Sequence, residues 1–452
     1  MYTPLIFEVP KEKEDILKAK SDVQKNSFLP MPKFSLGFHS FIHQTKDKMS
    51  ILDKIKKKKN FYYVVNKFEH IILNYEDDLN KLTKIYFNIQ EETPNILSRA
   101  FYKLWEILFL FDIADSDKSI TYAALAEGPG SFLQATMYFR EKFFNKASKN
   151  DKYFGVSIHS EEKGVKDIAE QFIGFHNKEN PGKVNVHKTF GKKESSKSKT
   201  KDNGDLTEFK TISLFKKDIK KTKKWADIVT ADGGFEWNDE NFQEQEAYPL
   251  IFGEIVAALN VQAKNGSFVL KLFESFTDIT LKMIYITSSF YESSYIYKPF
   301  TSRPSNSEKY LVCMGFKYDQ DKDKKILKEK LDKLEEILGE FKGKTYMTDI
   351  FSEFTLPSNY LDFFTKVDTT ISNIQQIEIN RIVDYIKGNN YYGEKYHNYR
   401  DEQIKATKFW TETFYPINKS LYEKNKKDMD KVLQDTMKNN VKAVKELQSV
   451  LS

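Results

Sequence analysis

Between about residues 95 and 318, hydrophobic and polar positions follow two alternating rhythms. Apolar residues recur at helical spacing through "NILSRAFYKLWEILFLFD", which predicts a helix over 95–112. Short apolar runs then alternate with longer amphipathic ones. "SITYAALA", "KYFGVSIH", "WADIVTADGG", "GSFVLKLFE", "SYIYKPF" and "KYLVCMGFKY" read as strands, and "FLQATMYFREKFF", "NFQEQEAYPLIFGEIVAALNVQAK" and "TDITLKMIYITSSF" as helices. Strand–helix repetition of this kind predicts an α/β fold with a mostly parallel, doubly wound sheet. Ligands of such sheets bind beyond the carboxyl ends of the strands, so the residues ending each strand are the first candidates for chemistry.

The flanks differ from this core. Residues 1–94 mix aromatic and basic stretches, including the lysine run "KIKKKK" at 54–59, and read as an N-terminal extension. Residues 188–224 are lysine-rich with few large apolar side chains and read as a basic insertion in the core of 95–318. From 319 to 452 the charged amphipathic segments predict a helical C-terminal region, packed on the core or tethered to it. No fixed-period repeat is visible.

Composition narrows the class. With 40% hydrophobic and 15% aromatic residues among 452, a sizeable core can be buried. The net charge of +6 is modest, so its distribution matters more than its sum. A lone cysteine, Cys313, excludes an internal disulfide framework and fits a reducing compartment. The first residues lack an apolar core behind a basic head, and no run approaches the roughly 18 apolar residues of a membrane span. The expectation is a soluble intracellular protein of the cytoplasm or nucleus with no membrane partner. The Lys-, Asn-, Tyr- and Ile-heavy composition fits an AT-rich genome such as that of a large cytoplasmic DNA virus, whose protein would lie in the host cytoplasm or the virion.

The first strand ends in Glu127-Gly128-Pro129-Gly130-Ser131-Phe132. That is either a tight turn or a cofactor cradle at the N-terminus of the next helix. Asp232, before two glycines at another strand end, is either a capping acid or an unshielded functional carboxylate. Lys271 sits inside an apolar strand, as a snorkelling side chain or as a desolvated general base. Glu308, taken alone, is a surface acid. His39 and His43 have i,i+4 spacing, but no third ligand is evident and no metal is expected.

As an ordered set, Lys103 in "SRAFYKLWEI", Gly-Pro-Gly, Asp232 in "ADGG", Lys271 and Glu308 resemble the FtsJ-like (RrmJ-type) RNA 2′-O-methyltransferases. "TADGGFEWNDENFQEQEAYPLIFGEIVAALNVQAKNGSFVLKLFESFT" and "YKPFTSRPSNSEKYLVCMGF" look like the cap-specific mRNA branch. The resemblance covers roughly residues 95–316. It implies a Rossmann-like methyltransferase fold with a mostly parallel seven-stranded sheet flanked by helices. It also implies S-adenosylmethionine as cofactor and a Lys103–Asp232–Lys271–Glu308 catalytic tetrad. The substrate implied is the first transcribed nucleotide of capped mRNA, with ribosomal or transfer RNA as the rival substrate and a non-catalytic RNA- or protein-binding scaffold as the rival class. Other capping or transcription proteins are possible partners. Glu127, Gly128, Pro129, Gly130, Ser131, Phe132 and Asp232 would contact the cofactor. "NGDLT" at 203–207 is similar to the branch's Gly-Asp-Ile-Thr segment and adds Asp205. The sequence departs from relatives at Ser131, where they more often have glycine.

In this reading Lys271 is the base, with its pKa lowered by Lys103, oriented by Asp232, while Glu308 fixes Lys103 or the ribose. Arg303 and Ser305, next to the tetrad in "SRPSNSE", are candidate RNA contacts. The lysines of 54–59 and 188–224 are either phosphate tracks or solvated faces. Phe235 and Trp237 either stack a base or simply pack.

Overall fold

The computed structural model describes residues 2–451 apart from 12–13, 33–35, 56–60, 70–76, 162–164, 199–200 and 343–344. Its strands, in chain order, are β1 (Leu5–Glu8), β2 (Val23–Asn26), β3 (Thr121–Leu125), β4 (Lys152–Val156), β5 (Val184–Val186), β6 (Ala226–Ala231), β7 (Gln262–Leu272), β8 (Tyr291–Lys298), β9 (Lys309–Phe316) and β10 (Tyr346–Ile350). Eight of them form one sheet in the order β1-β8-β9-β7-β6-β3-β4-β5. β3 pairs in parallel with β4 and β6, β4 with β5, and β6 with β7, while β9 runs antiparallel between β7 and β8.

The pleat explains why these strands lack a polar face. Ala123, Leu125, Val229, Ala231, Phe268 and Leu270 point into one core, closed by the helices Phe209–Lys220, Tyr248–Val261 and Asp278–Ser289. Tyr122, Ala124, Ile228 and Val269 point into a second core, closed by Ala100–Phe111 and Ser131–Phe143. A sheet covered on both faces requires apolar residues at every strand position.

The fold differs from the sequence reading in instructive places. The expected seven strands gain an eighth, because the N-terminal extension contributes β1, which pairs antiparallel with β8 from Leu5↔Lys298 to Glu8↔Tyr295. Ile6 and Phe7 are both buried there, and the edge of β8 is covered. The segment 188–224 is not wholly an excursion. Ile212, Phe215 and Ile219 recur at helical spacing on Phe209–Lys220 and are buried, while Lys210, Lys217 and Lys220 are exposed. The long helix expected after residue 240 divides into Gln243–Glu246 and Tyr248–Val261, and the helix predicted from residue 95 starts at Ala100.

The C-terminal helices, Lys324–Glu340, Ser358–Lys387, Glu394–Phe414 and Lys419–Leu451, pack on this sheet domain. Trp105 Nε1 donates to the Phe414 carbonyl at 2.7 Å, and Trp410 Nε1 donates to Glu106 at 3.0 Å. β10 also pairs with β2, so the two flanks build a ribbon together. Among the described residues, no helix is long and apolar enough to cross a membrane.

Candidate active site

β3, β4, β6 and β7 all run the same way, so their carboxyl ends meet along one edge of the sheet. Asp232 follows β6 directly, and Lys271 is the penultimate residue of β7. Lys103 comes from the helix Ala100–Phe111, whose Phe101–Phe111 stretch is buried throughout. Glu308 comes from the loop between β8 and β9. The fold therefore brings the four residues together from four separate segments.

They form two pairs. Lys103 Nζ lies 2.7 Å from Glu308 Oε1 and 2.8 Å from Oε2. Ser302 Oγ donates to Glu308 Oε1 at 3.0 Å. Burial alone would push the Glu308 carboxyl up, but Lys103, Lys271 and Lys298 hold it well below the usual carboxylate range. In the second pair, Lys271 Nζ lies 3.3 Å from Asp232 Oδ1 and donates to the Asp232 carbonyl at 2.8 Å. Burial pushes the Lys271 ammonium down, but Asp232, Glu308 and Glu254 outweigh it, so its pKa is raised. The expectation that Lys103 lowers this pKa is corrected: the charge of Lys103 is taken up by Glu308, and the carboxylates around Lys271 dominate.

Two residues of this site carried no sequence signal. Tyr310 OH donates to Asp232 Oδ1 at 3.0 Å, and Tyr310 faces Lys271 in the β7–β9 register. Lys298 Nζ donates to the carbonyls of Asn306 (2.9 Å) and Glu308 (2.7 Å) and so holds the loop that carries Glu308. Burial pushes Lys298 down to about 7. Both look like ordinary strand residues until the sheet register is known.

A cavity of about 680 Å³ opens beside the tetrad. Gly128, Pro129, Asp205 and Asp232 line it, with Leu206 and Leu250 among its apolar walls. Glu127, Gly130, Ser131 and Phe132 do not line it. Glu127 instead accepts the backbone N–H groups of Phe132 (2.8 Å) and Leu133 (3.0 Å) at the start of the next helix. Burial, with a contribution from Asp232, raises its pKa to about 8. Ser131 is buried and its Oγ lies 2.7 Å from Ser98 Oγ, which accommodates a hydroxyl where relatives favour glycine. Gly128 is required by close approach: a Cβ there would lie 1.7 Å from the Lys166 carbonyl oxygen.

Asp205 accepts from Thr207 N and Oγ1 at 2.9 and 2.7 Å. Its loop is anchored by an Asp–His–Asp bridge. His187 Nε2 lies 3.1 Å from Asp202 and Nδ1 lies 2.6 Å from Asp218. Burial would lower the imidazole pKa, but the two carboxylates raise it to about 9.

A second cavity, about 320 Å³, shares Gly234 and Phe235 with the first and is lined by Trp237, Lys271 and Phe273. The Phe235 and Trp237 ring centroids are 4.4 Å apart, and Trp237 meets Phe273 edge-on at 4.7 Å. Asp232 thus borders the larger cavity and its partner Lys271 the smaller.

Arg303, a candidate RNA contact, makes internal contacts. Its guanidinium pairs with buried Glu69 at 2.8 Å and lies 3.7 Å from the Tyr63 ring centre. Ser305 is half-buried in the same loop, and its carbonyl accepts from Gln375 at 3.3 Å. Lysines 56–59 lie outside the described residues. His39 and His43, for which no third ligand was evident in the sequence, have donor atoms within 4.8 Å of a Glu274 carboxylate oxygen.

Residues 96–316 match the model of FtsJ-like methyltransferases. A cap-specific mRNA (nucleoside-2′-O-)-methyltransferase 1 from Caenorhabditis elegans is 28% identical over 214 residues, 46% of this chain and 23% of the relative. The enzyme of the same description from Trypanosoma brucei brucei is 43% identical over 91 residues, 20% of this chain and 25% of the relative. A Caenorhabditis briggsae protein described as an inactive cap-specific mRNA (nucleoside-2′-O-)-methyltransferase 1B is 25% identical over 292 residues, 63% of this chain and 31% of the relative. The chain thus spans less than a third of the length of these relatives. With the sheet order, the carboxyl-edge cavity and this match in agreement, residues 96–316 are an FtsJ-like methyltransferase domain.

Proposed function

We propose that this chain is an S-adenosylmethionine-dependent RNA ribose 2′-O-methyltransferase acting on the first transcribed nucleotide of capped mRNA. The observation that carries this reading is the assembly of Lys103, Asp232, Lys271 and Glu308 into two ion pairs, with Asp232 lining the larger cavity and Lys271 the smaller. Relatives include a protein described as inactive, so likeness over the domain does not by itself imply turnover. The intact tetrad favours an enzyme over a scaffold.

The larger cavity fits the cofactor in chemistry. Apolar walls at Leu206 and Leu250 suit an adenine ring, Asp205 can accept hydrogen bonds from ribose hydroxyls, and Asp232 suits the cationic end. When bound, S-adenosylmethionine supplies a methyl group activated by its sulfonium. The smaller cavity would hold the nucleotide, with the Phe235–Trp237 pair offering a stacking face.

A 2′-hydroxyl is a weak nucleophile, so the chain must aim its oxygen and receive its proton. Lys271 Nζ is the group placed to do both. Asp232 holds it through side chain and carbonyl, and Tyr310 in turn holds Asp232. In the free protein Lys271 is an ammonium, because its pKa is raised. A cation held in the adjoining cavity would oppose that shift and favour the basic form of Lys271. The Lys103–Glu308 pair, tied down by Ser302 and Lys298, closes the opposite side and fixes where the ribose sits. Positioning of this kind supplies several kcal/mol of barrier lowering.

The test is transfer of labelled methyl from the cofactor to RNA with and without a cap, followed by nuclease mapping of the modified ribose. Label on the first transcribed nucleotide of capped RNA alone is the expected result. Equal labelling of uncapped RNA would remove the cap from the proposal, and cofactor binding without transfer to any RNA would overturn the enzyme reading.

A further inference from the structure

The helix Leu36–Asp47 lies far in sequence from β7, yet its buried face meets the segment that follows that strand. His39 and His43, four residues apart, project from one side of the helix. Glu274 comes two residues after β7 ends, and its side chain is 2% exposed. One donor atom from each of the three lies within 4.8 Å of the others. His43 Nε2 is 3.2 Å from Glu274 Oε2. That is close to the separation of about 3.3 Å expected for two donors held about 2.0–2.1 Å from one tetrahedral ion.

His39 has the most unusual environment. It is 1% exposed, and neither ring nitrogen has a hydrogen-bond partner among the described residues. Buried polar atoms are rarely left this way, and each instance calls for a physical reason. Its ring packs beside His43 at 3.9 Å and edge-on to Phe276 at 5.1 Å. Glu274 is held from two sides, by His43 and by Lys46. Lys46 Nζ bonds the other carboxylate oxygen, Oε1, at 3.0 Å and the Glu240 carbonyl at 2.6 Å. Oε2 is therefore left to the imidazoles, and Lys46 orients the carboxylate from behind.

We propose that His39, His43 and Glu274 form a binding site for a divalent transition-metal ion, zinc by preference. Two imidazoles and a carboxylate are donors that zinc accepts in four-coordinate geometry, and three protein ligands leave the fourth position to water. None of the three lines the larger cavity or the one around Lys271. The ion would fasten the helix Leu36–Asp47 to the chain just beyond Lys271, so the site stands apart from methyl transfer and does not rest on it.

The experiment uses the full chain, loaded with zinc alone and dialysed at neutral pH, with bound metal counted by mass spectrometry. Cobalt(II) replaces zinc in a parallel sample read by visible absorption. The expected result is about one zinc per chain, together with cobalt absorption of four-coordinate intensity. His43→Gln and Glu274→Gln should each weaken zinc binding at least about tenfold, and His39→Phe, which keeps a ring in the buried position, should do the same. Circular dichroism identifies any variant that has unfolded, and the two glutamine variants carry the test if His39→Phe does. Wild-type protein that retains no zinc, or binding unchanged in the folded variants, would overturn the proposal.

Discussion

The two lysine–carboxylate pairs of the tetrad are built differently. Lys103 meets both oxygens of Glu308, which also accepts from Ser302, while Lys298 grips the backbone of the same residue. That pair is tied down by several partners. Lys271 meets a single oxygen of Asp232 at 3.3 Å, shares it with Tyr310, and makes its shorter bond to a carbonyl. It also borders a cavity, where the ring of Phe273 lies 5.6 Å from its Nζ. The difference teaches a division of labour. In the proposed reaction the first pair would serve as a fixed wall, and the second would exchange partners with a hydroxyl.

Four changes would break or sharpen that contrast. Lys271→Met should have the largest effect, a loss of roughly a thousandfold or more in kcat, with cofactor affinity by calorimetry changed less than about threefold. Retained turnover would end the distinction between the pairs. Glu308→Gln should cost roughly a hundredfold in kcat, because Lys103 then sits nearly buried without its counter-ion. A fall in stability without a fall in kcat would make this pair purely structural.

The pH profile separates the pairs more finely. Lys271 has a raised pKa, so its basic form is scarce at neutral pH and grows as pH rises. If its Nζ receives the proton, kcat/KM should climb about tenfold per pH unit from neutrality upward. A flat profile would reduce Lys271 to a positioning role. The smallest effect on activity belongs to Trp410→Phe. It removes a donor from Glu106, a fully buried carboxylate that also accepts from Tyr297 and Thr301 and whose pKa burial raises. Urea unfolding should show a loss of about 1–3 kcal/mol, with kcat nearly unchanged, since the wall carrying Lys103 is held by other contacts as well.

Much of the site was legible because its signals are local. An acid after an apolar run followed by two glycines marks Asp232 as the end of a strand, and Lys271 interrupts another strand visibly. The alternation of period-two and helical patterns gave the parallel sheet for the same reason: the periodicity of burial is written into neighbouring residues. Helix Phe209–Lys220 was hidden because its lysines outnumber its three buried apolar positions.

Other features depend on residues that only the folded chain makes neighbours. β1 closes an edge formed by residues 295–298, Trp410 caps a carboxylate on a helix some 300 positions earlier, and Glu274 meets His43 across a separation of 231 residues. The direction of the Lys271 pKa was likewise undecidable from sequence, since it turns on which charges stand within a few ångströms. Sequence by itself determined which residue types end the strands, and hence the chemistry available. The tertiary structure decided which of them pair, because ion pairing and desolvation fall off over distances that chain order does not encode.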